Sequence, residues 1–499
     1  MKTGLDRRRF LTGLGAALWA SPAIARAPET SIRPVARGED LRLRSQPDPA
    51  ALIERAQLGD RVSFALMDLN SGEMLETHAA DLAQPPASVA KALTAAYALE
   101  SLGPDFRFET RLLATGPITE GTLEGDLILA GGGDPTLDTD GLADLADQLR
   151  AAGITKVAGA FKVAGGALPD LPLIDPDQPD HVGYNPAVAG LNLNYNRVHF
   201  GWKRNGSGYE VTMDARSERY RPDVRMARMK VEPRAVPIYT YADREGRDDW
   251  TVARDALGDG GARWLPVRKP ALYAGEVFQT LAKAQGISLP PPQVMPAPPA
   301  TGETVARLES GPLRVILRDM LHWSTNLTAE IVGMTATLQR SGAAPASLRD
   351  SARAMNAWAA ARFGLTTMDF VDHSGLGDAS RISAPDMVRA LREVRRSRGL
   401  KPLLKPVPMK DERGRPIGQH PLVVHAKTGT LNFVSGLAGF IDVSEGRELV
   451  FAIFAADLNR RATLTEDQRE RPEGGRSWNA RAKSLQQALI ERWGVVYAA

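Results

Sequence analysis

Three short polar motifs, far apart in the chain, constrain its fold more than any other feature. Ser88 and Lys91 form the only S-x-x-K pair, residues 324–326 read Ser-Thr-Asn, and residues 427–430 read Lys-Thr-Gly-Thr. A serine hydroxyl is a poor nucleophile on its own and needs an adjacent base. The first two motifs are 236 residues apart, so these side chains can act together only if the fold brings the two distant segments into contact.

The first motif is predicted to begin a helix. Residues 85–87 read Pro-Pro-Ala, and the following run from Ser88 to Leu99 is rich in helix-forming residues. Gly103-Pro104 then ends the helix. A spacing of three places Ser88 and Lys91 on one helix face, within hydrogen-bonding reach. Lys91 can act as a base if burial or a nearby cation lowers its pKa from about 10.4.

The order of the three motifs carries more weight than any one of them. A chain of this length contains about one S-x-x-K by chance, and two decoys exist at residues 2–4 (Lys-Thr-Gly) and 477–479 (Ser-Trp-Asn). Only one set has the order S-x-x-K, S-x-N, K-T-G in the mature chain, which is the chain without the signal peptide predicted below for residues 1–25. That ordered set is typical of serine β-lactamases and penicillin-binding proteins.

The remaining motif residues suit complementary roles in acyl transfer. Ser324 can relay a proton, and Asn326 can hold the substrate amide and position Lys91. Lys427 supplies a second cation that attracts a carboxylate. Thr428 and Thr430 can hydrogen-bond that carboxylate, while the small Gly429 lets a substrate lie along the strand edge as an added strand.

The chain divides into a discontinuous catalytic domain and an insertion. A strand from Arg61, a turn at residues 70–72 and a returning strand predict a hairpin over 61–78, and apolar runs predict three C-terminal strands over 422–430, 434–443 and 448–456. We expect the catalytic domain to comprise residues 40–107 and 269–499, and the inserted domains to comprise 108–268. Proline clusters at 290–292 and 298–299 predict a linker.

The first 25 residues are predicted to be a signal peptide. Arg7-Arg8-Arg9-Phe10-Leu11 precedes a short apolar stretch and a small-x-small cleavage site, which is typical of the twin-arginine subtype. The net charge of +3 resides in this segment, so the mature chain is neutral and nothing predicts nucleic-acid binding. No apolar run reaches the roughly 18 residues of a spanning helix. A periplasmic location without a transmembrane anchor is expected.

Longer segments resemble the penicillin-binding-protein-4 class of D-alanyl-D-alanine carboxypeptidases, from about residue 45 to the end. The segments are 125–137, 191–196, 270–274, 372–376 and 426–431. His373 stands where that family usually has glycine. The resemblance implies an α/β, β-lactamase/transpeptidase-like domain, with an antiparallel sheet flanked by helices and a large inserted region of two small domains. It also implies an oxyanion hole formed by the backbone N–H groups of Ser88 and Thr430.

The expected activity is a serine D-alanyl-D-alanine carboxypeptidase that also acts as an endopeptidase on peptidoglycan stem peptides and is inhibited by β-lactams. The chain has no cysteine and no histidine pattern of metal-ligand spacing, so no metal or cofactor is expected. Asp170, Asp175 and Asp177 remain alternatives for binding the stem-peptide diamino acid. A serine β-lactamase and a catalytically silent cell-wall-binding protein remain alternative functions, and the sequence leaves the oligomeric state open.

Overall fold

The structure is a computed structural model that describes residues 45–497, except Ala167, Glu245, Ala300, Glu412, Ser444 and Glu445. The described strands are β1 Val62–Asp68, β2 Met74–His78, β3 Glu109–Ala114, β4 Ile118–Thr119, β5 Thr122–Leu123, β6 Leu127–Ala130, β7 Lys156–Val157, β8 Phe161–Ala164, β9 Arg197–Asn205, β10 Gly208–Asp214, β11 Ala227–Glu232, β12 Tyr239–Arg244, β13 Arg247–Ala253, β14 Gly260–Pro266, β15 Pro292–Met295, β16 Glu303–Glu309, β17 Lys405–Pro406, β18 Val423–Leu431, β19 Val434–Asp442 and β20 Glu448–Ala456.

The described α-helices are α1 Pro49–Ala56, α2 Ala90–Leu102, α3 Thr139–Ala151, α4 Pro270–Ala284, α5 Leu313–Trp323, α6 Asn326–Ser341, α7 Leu348–Phe363, α8 Ala384–Arg398, α9 Leu458–Ala462, α10 Glu466–Arg469 and α11 Gly475–Val496. Among the described residues, no helix has the length and apolar character needed to cross a membrane. The predicted signal peptide lies outside the described residues.

A six-stranded antiparallel sheet forms the centre of the catalytic region. Its order is β17-β18-β19-β20-β1-β2, so strands from both ends of the chain lie side by side. β19 and β20 are buried along almost their whole length, because helices cover both faces of the sheet. One core joins the sheet to α1 and α11, and another joins it to α2 and α5–α8. This layering places the start of α2 against β18.

The inserted region has its own hydrophobic core. A five-stranded mixed sheet of order β15-β8-β6-β3-β16 packs against α3 and α4, and three three-stranded sheets, β4-β5-β7, β10-β9-β14 and β11-β13-β12, share its core. One continuous core cluster includes residues of all four sheets, so the division into two small domains remains a prediction.

The predicted linker at residues 290–299 is wrong. β15 pairs in parallel with β8, and β16 pairs antiparallel with β3, so residues 292–295 and 303–309 complete the sheet of the inserted region. Proline is tolerated there because β15 and β16 are the two edge strands of that sheet. On these pairings we propose that the inserted region extends to about residue 310, beyond the expected boundary at 268.

Candidate active site

The candidate nucleophile sits in a constrained turn at the start of a helix. Ser88 lies in a single 3₁₀ turn, Ala87–Val89, that runs directly into α2. Ala87 has a φ of +46°, in the left-handed region that L-residues rarely adopt. A Cβ on Gly375 would stand 1.9 Å from the Ala87 carbonyl oxygen, so the segment after Asp372 packs directly beneath this turn. Such stored strain is common where a fold presents a reactive side chain.

Lys91 is fully buried and is held by three oxygen atoms. Its Nζ lies 2.9 Å from Ser88 Oγ, 2.8 Å from Asn326 Oδ1 and 2.6 Å from the Ser374 carbonyl oxygen. Asn326 Nδ2 donates to the Tyr184 carbonyl oxygen at 2.9 Å, which directs Oδ1 toward Lys91. A neutral amine has two hydrogens and one lone pair. If the hydrogens go to the two carbonyl-type acceptors, the lone pair is left facing the Ser88 hydroxyl.

The surroundings of Lys91 make its neutral form more accessible than that of an exposed lysine. Burial lowers the pKa of Lys91 below its ordinary value, and the nearby carboxyl groups of Glu330 and Asp372 oppose part of that effect. Burial in turn raises the pKa of Glu330 and of Asp372. The Glu330 carboxylate accepts the backbone N–H groups of His373 at 3.0 Å and Ser374 at 2.9 Å. Glu330 thereby fixes the loop whose carbonyl oxygen contacts Lys91.

The second and third motifs meet through a lysine–serine hydrogen bond. Ser324 ends α5 with a φ of +60°, which turns its side chain between α5 and α6. Lys427 Nζ donates to Ser324 Oγ at 3.0 Å and to the Thr428 carbonyl oxygen at 2.7 Å. Burial lowers the pKa of Lys427 well below its ordinary value, and the charges of Lys91 and Lys405 add to this. The two motif lysines therefore oppose one another's protonation.

The edge of β18 beside the nucleophile is open. β17 pairs with β18 only at His425 and Ala426, so within the described residues the edge from 427 to 431 has no neighbouring strand. A Cβ on Gly429 would stand 2.9 Å from the Ser88 backbone nitrogen, a contact that only glycine permits without a shift. Thr428 and Thr430 are exposed on this edge. Of the expected substrate-binding residues, Gly429 packs against the Ser88 backbone and Thr430 lines a cavity with Ser88, whereas Thr428 lies further along the edge.

A cavity of about 270 Å³ opens at this meeting point. It is lined by Ser88, Gln178, Tyr184, Ser324, Asn326, Gly375, Leu376, Thr430, Leu431, Asn432, Arg461, Arg469, Glu470 and Asn479. All three motifs contribute to this lining, and the inserted region contributes two residues. The arrangement provides a nucleophile, two buried lysine amines and an open strand edge, which are parts that acyl transfer to serine can use.

Comparison with known proteins agrees with this chemistry. A model of the D-Ala-D-Ala carboxypeptidase 3 (S13) family matches residues 48–481. The chain belongs to that family. It is 25% identical over 420 residues to the D-alanyl-D-alanine carboxypeptidase DacB of Haemophilus influenzae, covering 81% of this chain and 87% of the relative. It is 27% identical over 472 residues to a D-alanyl-D-alanine carboxypeptidase of Actinomadura, covering 87% and 83%.

Solved structures confirm the fold of this S13 chain. The crystal structure of penicillin-binding protein 4 from Haemophilus influenzae superimposes with a TM-score of 0.72 at 20% identity, over 89% of this chain and 100% of that one. Taken with the S13 family match and the similarity to DacB, this fold confirms the resemblance to the penicillin-binding-protein-4 class. So is the expected α/β fold, in which helices flank the sheet and a large region is inserted.

Some residues of the S13 site were not found from sequence. Glu330 gave a weak signal, as a lone acid within an otherwise apolar stretch of α6. Tyr184 gave none, because it acts through its backbone carbonyl oxygen. Asp170, Asp175 and Asp177 do not line the cavity, whereas the neighbouring residue 178 does. Asp175 is buried and accepts hydrogen bonds from the side chain of residue 178 and from its own loop.

Proposed function

We propose that this chain is a serine D-alanyl-D-alanine carboxypeptidase, with endopeptidase activity, that cleaves peptidoglycan stem peptides through an acyl-enzyme on Ser88. The observation that carries the proposal is the environment of Lys91. A buried amine contacts the nucleophile at 2.9 Å and has two further oxygen partners that accept its hydrogens. This is the geometry that a general base needs before it can take a proton from a serine.

Acylation begins when Ser88 Oγ attacks the carbonyl carbon of the terminal peptide bond and Lys91 takes the hydroxyl proton. The backbone N–H groups of Ser88 and Thr430 stabilise the developing oxyanion. Support comes from the cavity that both residues line and from the close approach of Gly429 to the Ser88 nitrogen. The carbon–nitrogen bond then breaks, and the proton passes through Ser324 to the leaving amine. Water finally hydrolyses the ester and restores the Ser88 hydroxyl.

The third motif binds the terminal carboxylate of the substrate. Lys427 is buried beside Ser324, and Thr428 and Thr430 present hydroxyl groups at the open strand edge. A bound carboxylate favours the protonated form of Lys427, which in turn disfavours a proton on Lys91. Substrate binding would therefore favour the neutral form of Lys91, in which it can accept the serine proton. Asn326, fixed by Tyr184, is placed to contact the substrate amide as well as Lys91.

β-Lactams are proposed to acylate the same serine. A solved structure of the Haemophilus influenzae penicillin-binding protein 4 contains a β-lactam, and a strained cyclic amide places a carbonyl carbon and a carboxylate near the same groups.

We further propose that the twin-arginine signal at residues 1–25 directs export to the periplasm, where peptidoglycan is accessible. That segment lies outside the described residues, and the proposal rests on its sequence.

The function is tested by measuring D-alanine release from a stem pentapeptide by the mature enzyme and by Ser88→Ala. The wild type should release D-alanine and Ser88→Ala should not, with unchanged circular dichroism. Hydrolysis of a chromogenic β-lactam, measured in parallel, separates this activity from that of a β-lactamase. Rapid β-lactam turnover without D-alanine release would contradict the proposal and support the β-lactamase alternative.

A further inference from the structure

A second cavity lies on the other side of the substrate strand. This C-terminal groove has a volume of about 650 Å³ and is bounded by residues 407–411, Gly414, the β18 edge and helix α11. Gln487 Nε2 on α11 donates to the Lys410 carbonyl oxygen at 2.5 Å, which ties the helix to the 407–411 segment. At the floor, Gln486 Nε2 donates to Ser435 Oγ at 3.1 Å, and both residues are buried. The groove is thus a preformed feature of the fold.

The C-terminal groove and the active-site cavity border the same strand edge. Thr430 lines both, Thr428 and Gly429 line only the groove, and Leu431 lines only the active-site cavity. A chain that lies along the open edge of β18 therefore borders the active-site cavity at Thr430 and Leu431 and the groove at Thr428 and Gly429. The two spaces are suited to hold the two sides of a scissile bond.

The position of the carboxylate site decides which side of the bond occupies the groove. In the proposed function, Lys427 and Thr428 bind the carboxylate of the residue that leaves. The leaving residue therefore lies toward Thr428, which lines the groove. Cavities of roughly 300–1,000 Å³ hold drug-sized ligands. A groove of about 650 Å³ has far more room than a single leaving alanine occupies.

We propose that the C-terminal groove binds the leaving peptide of a crosslinked pair of stem peptides, and so serves the endopeptidase reaction. This inference rests on the proposed function. The covalent steps are the same: Ser88 Oγ forms an ester with the carbonyl carbon, and the carbon–nitrogen bond breaks. The serine proton goes to the amine of the second peptide instead of to free D-alanine. Water then releases the acyl peptide, and no other reactant is needed.

The test is a substitution that fills the groove and leaves the residues of the three motifs unchanged. Ser484 is exposed on α11, lines the groove, and donates only within its own helix, to the Ala480 carbonyl oxygen at 3.1 Å. Ser484→Trp should lower kcat/KM for a crosslinked stem-peptide dimer at least tenfold. Its D-alanine release from a monomeric pentapeptide and its rate of acylation by penicillin should stay within twofold of the wild type, which also shows that it has folded.

Two control variants accompany it. Ser484→Ala leaves the groove open and should behave as wild type on both substrates. Ala357→Trp adds the same bulk on the exposed face of α7, outside both cavities, and should also be silent.

Three outcomes would overturn the inference. These are unchanged dimer cleavage by Ser484→Trp, an equal loss on both substrates, and a wild type that cleaves the pentapeptide but not the dimer. In the last case the carboxypeptidase proposal stands. A wild type that cleaves neither substrate would refute the proposed function itself.

Discussion

The different roles proposed for Lys91, as the base, and for Lys427, as the charge that binds a carboxylate, lead to a specific prediction. Lys91→Arg places a permanent cation at the site, and its guanidinium can still donate to the oxygen atoms of Ser88, Asn326 and Ser374. Guanidinium stays protonated at neutral pH, so it cannot take the serine proton. Removal of a general base typically costs ~10²–10⁴-fold in rate, equivalent to about 3–5 kcal/mol of activation free energy. We expect that loss in the acylation rate.

Lys427→Arg is the matched control. It also replaces a buried lysine by arginine, but it preserves the charge that the proposed carboxylate site requires. We expect Lys427→Arg to keep at least a tenth of the wild-type acylation rate. Thermal unfolding of both variants shows whether either has lost its fold, because arginine is larger than lysine and both positions are buried.

The assay is the second-order rate of acylation by one β-lactam, measured across pH. The base acts when deprotonated, so the wild-type rate should rise with pH and level off below the ordinary lysine pKa of about 10.4, since burial lowers the pKa of Lys91. Lys91→Arg should lose this rise. Equal rates for Lys91→Arg and Lys427→Arg, or an unchanged pH profile in Lys91→Arg, would refute the assignment of Lys91 as the base.

Three further predictions follow from other parts of the chain. Gly375→Ala should lower acylation at least 100-fold, because its Cβ would stand 1.9 Å from the Ala87 carbonyl oxygen; near-normal acylation by a folded variant would contradict this. Burial lowers the pKa of His373 to about 3, whereas the same side chain takes up a proton at about pH 6.5 in the unfolded chain. The stability of the wild type should therefore fall as the pH falls from about 6.5 toward 3. His373→Phe should flatten that part of the melting-temperature profile, and parallel profiles of the two proteins would contradict the prediction. Replacing Arg7 and Arg8 by lysine should leave precursor in the cytoplasm, whereas normal processing would indicate the general secretory route.

The sequence predicted those parts of the molecule that depend on local pattern. The hairpin formed by β19 and β20 lies within one residue of its expected bounds, because two continuous apolar runs flank a short polar turn. The helix after Ser88 was also expected, although it begins with a 3₁₀ turn. The ordered motifs indicated which distant segments must meet, and the structure brings all three to one cavity.

The parts that the sequence did not predict depend on contacts between distant residues. The segment 290–299 is predicted to be a linker because its proline clusters are a local signal, whereas the pairing of β15, which lies within this segment, with β8 is a tertiary contact. Likewise, the third oxygen partner of Lys91 is a backbone carbonyl, which every residue possesses and no side-chain pattern reveals. Register and backbone contacts of this kind are set by the packing of the whole fold.

The central claim, covalent catalysis by Ser88 with Lys91 as its base, is tested most directly by trapping the acyl-enzyme. Penicillin is mixed with wild type, Ser88→Ala and Lys91→Arg, the reactions are stopped at short times, and proteolytic peptides are analysed by mass spectrometry. We predict one adduct, on Ser88, that forms quickly in wild type, at least 100-fold more slowly in Lys91→Arg and never in Ser88→Ala. An adduct on another serine, or D-alanine release by Ser88→Ala, would contradict the account.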